Sequence, residues 1–136
     1  MAEPTTHRPA LTPDQHSMLE ETIYATVTTL HPDGSPHTTV VWVDGEGGDV
    51  RFNTAVGRIK ERNLRRDPRV SVALFDPADP HRGLVVRGRA ELTEDGAVDH
   101  VERLSWKYDG HEYRDLRPGD RRVTVRVRAD RVSPVS

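Results

Sequence analysis

The stretch Gly57-Arg58-Ile59-Lys60-Glu61-Arg62-Asn63-Leu64-Arg65-Arg66-Asp67-Pro68-Arg69 concentrates the charge of this 136-residue chain. Arg58, Lys60, Arg62, Arg65, Arg66 and Arg69 stand against only Glu61 and Asp67, although the whole chain has a net charge of −2. A helix N-terminus presents free backbone N–H groups and the positive end of its dipole, so a helix opening here would face a phosphate, with Arg58 and Lys60 adding charge. Gly57 permits close backbone approach, and Asn63, one turn from Ile59, carries an amide where a plain amphipathic helix has an apolar residue. A solvated basic helix face would account for the charge alone. The glycine and the asparagine are what point to a ligand.

Other constellations are weaker. His31, Asp33 and His37 flank a turn without helical ligand spacing, and turn chemistry explains Asp33, so no metal site is assigned. Trp106, Tyr108, His111 and Tyr113 either line a substrate pocket or anchor the last helix, and anchoring is the commoner use of such aromatics. Ser105 has no histidine and carboxylate around it that would form a hydrolase triad. No residue is a clear catalytic acid. The chain has no cysteine, which excludes disulfides, thiolate chemistry and cysteine-ligated metals. Near-neutral charge and 5% aromatics argue against a nucleic-acid groove. All but Lys60 and Lys107 of the 20 basic residues are arginine.

The elements that would position these residues follow from pattern. Residues 1–10 are polar and aperiodic and are expected to form a disordered tail, leaving 11–136 as one domain. Thr12, Pro13 and Gln15 read as N-cap, first turn and capping partner of a helix to about Glu21. β-branched, alternating segments predict strands over Ile23–Leu30, His37–Val43, Asp49–Thr54, Arg69–Phe75, Leu84–Leu92 and Arg122–Ala129. Turns are expected at His31-Pro32-Asp33-Gly34 and Gly45–Gly48, and a loop over Asp76–Gly83. Short helices are expected over Arg58–Arg66 and Asp95–Tyr108, the latter burying Val98, Val101, Leu104 or Ser105, and Tyr108. The last strand should bury Val123, Val125 and Val127 and expose Arg122, Thr124, Arg126 and Arg128. Six strands with short helices between them predict a small antiparallel β-barrel. The absence of an apolar run of membrane length and of a leader-like start predicts a soluble cytoplasmic protein.

Asn53-Thr54, Gly57-Arg58, Lys60, Asn63-Leu64 and Asp67-Pro68-Arg69-Val70 together resemble the pyridoxamine-phosphate-oxidase-like split β-barrel superfamily, especially its actinobacterial branch that binds the deazaflavin coenzyme F420. Asp33-Gly34 with Pro36, Trp42, Gly88-Arg89-Ala90-Glu91-Leu92 and Arg117-Pro118-Gly119-Asp120-Arg121-Arg122-Val123 extend the resemblance from about Leu11 to Val132. The resemblance implies a six-stranded split barrel, a homodimer and a cofactor site between subunits. Carried over by position, Arg58 and Lys60 would bind the cofactor phosphate, and Asn53, Thr54, Gly57 and Asn63 would belong to the same site. Thr38, Thr39 and Val40 would underlie the ring, although Val40 and His37 depart from the residues common there. The implied activity is hydride transfer from reduced F420 to a small unsaturated or quinone-like substrate. The alternatives are an FMN-binding oxidase or flavin reductase and a non-catalytic flavin- or haem-binding protein.

Overall fold

Thr12 Oγ1 accepts the Gln15 N–H at 3.1 Å and Gln15 Oε1 accepts the Thr12 N–H at 2.9 Å, closing the expected capping box. Helix α1 (Pro13–Glu20) thus starts where the sequence predicts and buries Met18 and Leu19. The computed structural model describes residues 9–135, so the first eight residues of the tail expected over 1–10 lie outside the described residues. After α1 come β1 (Ala25–Leu30), β2 (Pro36–Val41), β3 (Val43–Glu46), β4 (Asp49–Ala55), α2 (Ile59–Arg66), β5 (Arg69–Asp76), β6 (Asp79–Thr93), α3 (Ala97–Asp109) and β7 (Arg122–Ser133).

All strand pairs are antiparallel, in one sheet of order β2-β1-β5-β6-β7-β4-β3. There are seven strands rather than six, because the strand expected over His37–Val43 changes partner at Trp42. Val41 pairs with Ala25 of β1, whereas Val43 pairs with Phe52 of β4. The two edge strands are therefore joined through one residue, and the sheet curls on itself into a barrel. It stays split where β2 leaves Trp42 beside the part of β4 that β3 does not cover. Val27, Phe52, Val72, Leu84, Val86 and Val125 fill the interior, with Met18 and Leu19 from α1 and Leu64 from α2.

Three boundaries differ from expectation. The loop expected over Asp76–Gly83 is a tight hairpin, since Asp76 already pairs with Asp79 and the ladder absorbs Pro80–Arg82 as a bulge. The turn at Gly45–Gly48 narrows to Gly47 and Gly48, whose φ of +60° and +86° suit a two-residue hairpin turn. Strand β7 continues past Ala129 to Ser133 by pairing with Val85–Arg87 of β6.

The outward face of β4 and β7 is the larger correction. Arg122 and Thr124 are buried rather than exposed, as is Arg51, because α3 lies across that face. Within α3, Val98 is exposed, and His100 lies with Val101 and Leu104 on the buried side. No helix among the described residues is long and apolar enough to cross a membrane.

Candidate functional site

A cleft of about 300 Å³ opens at the split. Tyr24 and the Val40-Val41-Trp42 segment form its apolar wall, Asn53 and Arg122 rise from the ends of β4 and β7, and Lys60 enters from α2. Tyr113 and Asp115, from the segment after α3, add a further stretch of wall. Tyr108 stacks on Trp42 at 5.5 Å, and its hydroxyl donates to the Ile23 carbonyl at 2.5 Å and accepts the Val43 N–H at 3.1 Å. The partner-switch point is therefore held rigidly, and Tyr108 anchors α3. Trp106 is exposed.

The basic residues of the α2 region separate into two groups. Arg65 is paired with Glu61, Arg66 donates to the Leu30 carbonyl and Asn63, and Arg69 is paired with Asp67. Arg58, Lys60 and Arg62 have no carboxylate within 4 Å among the described residues. Arg58 is the N-cap of α2 and supplies no side-chain cap, so the start of the helix remains open to an anion. Gly57 holds φ at +94°, a conformation suited to glycine, and its N–H donates to Glu61 Oε1 at 2.8 Å. Its role is thus to shape the turn. Burial, and then the neighbouring Arg58 and Arg122, lower the pKa of Lys60. A bound anion would reverse that pressure.

The other residues singled out in the sequence divide similarly. Val40 and Asn53 line the cleft. The Thr39 and Thr54 hydroxyls are buried without a hydrogen-bond partner among the described residues, on the two strands that flank the split. Thr38 points to the outer sheet face and shares a 2.8 Å hydrogen bond with Thr28. Asn63 is buried away from the cleft, donating to Thr29 Oγ1 at 3.0 Å and accepting from Arg66. Its amide ties α2 to β1. Asp33 accepts from the Ser35 N–H and hydroxyl, as a turn residue does.

Sequence reasoning missed Arg122 and the network behind it. Arg122 Nε donates to Asn53 Oδ1 at 2.9 Å, and Asn53 Nδ2 donates to the Ala97 carbonyl at 2.9 Å with His100 Nδ1 at 3.3 Å. His100, 1% exposed, also meets Thr124 Oγ1 at 2.9 Å and Asp44 Oδ1 at 3.1 Å, and Asp44 takes two hydrogen bonds from Arg51. Burial would raise the Asp44 carboxyl, but the His100 and Arg51 hydrogen bonds outweigh it and hold its pKa at about 2. Alternation does not mark Arg122, Asn53, Thr124 and Arg51, because they lie on strand positions that it assigns to solvent, and α3 brings His100 against them.

Uncompensated cations at an uncapped helix start fit a phosphate-bearing ligand with a flat apolar portion against Trp42 and Val40. Known proteins agree with that chemistry. Residues 11–136 match the family model of pyridoxamine 5'-phosphate oxidase. The F420H(2)-dependent biliverdin reductase of Mycobacterium tuberculosis (strain CDC 1551 / Oshkosh) is 33% identical over 124 residues, covering 90% of this chain and 86% of the relative. A solved F420 reductase is 31% identical with a TM-score of 0.78, over 90% of this chain and 98% of its own. A pyridoxamine 5'-phosphate oxidase-like protein of Listeria innocua, 18% identical over 88% of this chain and 93% of its own, shares the fold with a TM-score of 0.67. Split barrel, near-complete family match and the 33% identical relative converge: the chain belongs to the pyridoxamine 5'-phosphate oxidase family.

Proposed function

We propose that this chain is a reductase that uses reduced F420, bound in the split between β2 and β4, to reduce a small conjugated acceptor. The observation that carries the reading is the pair Arg58 and Lys60, without carboxylate partners at the uncapped start of α2. When bound, the deazaflavin supplies a hydride to an activated double bond, imine or quinone-like group. The protein's part is positioning. Lys60 and Arg58 hold the phosphate by charge-assisted hydrogen bonds. Val40, Trp42 and Tyr24 give the ring an apolar wall that excludes water from one face. The open side of the cleft admits acceptor and water, which supplies the proton.

FMN is the alternative cofactor, since the family model is that of a flavin enzyme and the same phosphate contacts serve both. The reading also includes a homodimer. A cleft of about 300 Å³ lies at the lower end of small-molecule sites. Val40, 65% exposed at its rim, stands on an outer sheet face that a second copy would cover. A cytoplasmic location goes with the same reading. The direct test mixes the purified protein with reduced F420 and biliverdin under exclusion of oxygen. The expected result is oxidation of cofactor in proportion to loss of acceptor. Absence of turnover with biliverdin and with a naphthoquinone would remove the reductase assignment.

A further inference from the structure

The two arginines with buried side chains are treated differently by the fold. Arg51, 6% exposed, is neutralised by Asp44 at 2.7 Å and Glu46 at 3.1 Å. Arg122, 8% exposed, has no carboxylate within 4 Å among the described residues, although eight other arginines of the chain do. Its Nε is fixed by Asn53 Oδ1, and its guanidinium lies over the Tyr113 ring at 5.3 Å. The guanidinium lines the cleft; Asp115, also in the lining, forms no ion pair with it among the described residues, and Asp120 acts on it only from beyond ion-pair distance. Lys60 and Arg58 are close enough to repel it.

A buried guanidinium without a counterion costs several kcal/mol unless something compensates it. Tyr113, one amide oxygen and the more distant Asp120 carboxylate compensate only in part. Holding the fork in place is nevertheless built into the fold: Asn53 is itself fixed by the Ala97 carbonyl and by His100, which is anchored to Asp44 and Thr124. A charge kept rigid, buried and unpaired at a cleft wall is how a site stores affinity for an anion.

We propose that Arg122 is an anion-binding residue of the cleft, its guanidinium taking a carboxylate or phosphate oxygen of the bound small molecule. This rests on the cleft being the ligand site proposed above. The anion belongs either to the cofactor or to the acceptor, and one set of measurements separates the two. Arg122→Gln removes the charge and retains an amide that can reach Asn53. Arg122→Lys restores charge without the fork. Binding of F420 and of FMN is followed by fluorescence, and KM is measured for biliverdin and for its dimethyl ester. If the cofactor supplies the anion, Arg122→Gln weakens F420 binding at least about tenfold and Arg122→Lys recovers part of the loss. If the acceptor supplies it, F420 binding stays within about twofold. KM for biliverdin then rises about tenfold, and that for the ester is unchanged.

Binding of both cofactors within twofold, with acid and ester affected alike, overturns the proposal and leaves Arg122 a packing residue. Inorganic phosphate gives a readout that needs neither cofactor. At matched ionic strength it should raise the thermal midpoint of the wild-type protein by a few degrees and that of Arg122→Gln by much less. Equal gains, or none in either, count against Arg122 as an anion site. A wild-type protein that phosphate stabilises but that binds neither F420 nor FMN refutes the cofactor reading and leaves the anion site standing.

Discussion

Replacing Lys60 with alanine should separate ligand binding from folding more cleanly than any other single change at this site. The ammonium is half-buried, has no carboxylate within 4 Å among the described residues, and is pushed toward neutrality by burial and by Arg58 and Arg122. In the absence of ligand it therefore contributes no favourable pair, and its removal relieves repulsion. The thermal midpoint of the ligand-free protein should stay level or rise slightly. With a phosphate in place, a hydrogen bond between charged groups is worth roughly 1.5–3 kcal/mol, which corresponds to a Kd weaker by about tenfold to a hundredfold. Arg58 is exposed at the N-cap, so screening places Arg58→Ala at the lower end of that range. Arg65→Ala and Arg66→Ala are the controls. One is occupied by Glu61 and the other by the Leu30 carbonyl and Asn63, so F420 binding should change by less than about threefold. Fluorescence titration of the four variants with F420 decides the matter. A Lys60→Ala protein that binds F420 as the wild type does would refute the placement of the phosphate. Equal, modest losses in all four would reduce the helix to a diffuse positive field.

Asp44 gives a stability prediction with a defined pH window. Its carboxyl is at about 2 in the folded protein against 3.8 unfolded, so its contribution, about 2 kcal/mol, is present above roughly pH 4 and lost as pH falls toward 2. Urea midpoints measured across that range should fall in the wild type and change less in Asp44→Asn, which starts lower at neutral pH. Gly88→Ala would place a Cβ 1.9 Å from the Arg128 carbonyl oxygen at the bulge between β6 and β7. Backbone must move to relieve it, so a loss of about 3 kcal/mol and a thermal midpoint lower by roughly 10 °C are expected by calorimetry. Sedimentation at micromolar concentration should give about twice the chain mass of 15.3 kDa, and a monomer that still binds cofactor would overturn the shared site.

Residues with a local cause were legible in the sequence. Thr12 and Gln15 announce α1 because a capping box needs only four consecutive residues, and Val123, Val125 and Val127 announce β7 because one face of that strand is core. The turn at Gly57 and the basic start of α2 were legible for the same reason. The partner switch at Trp42 was not, because Thr39, Val41 and Val43 keep their alternation while the neighbouring strand changes from β1 to β4. Arg122 and Thr124 were missed for a related reason. Alternation identifies one buried face of a strand, and here α3 covers the other, making polar side chains interior. Asn63 misled in the opposite direction: an amide on the apolar stripe of a helix can serve a buried partner, here Thr29, as well as a ligand.

The central claim, a deazaflavin site at the split, is tested most directly by titrating the purified wild-type protein with F420 and with FMN side by side under identical salt. F420 should bind saturably with one site per chain and FMN more weakly, and the protein should purify colourless from a host making only ordinary flavins. Tight, stoichiometric FMN retained through purification, with F420 unable to displace it, would contradict the account.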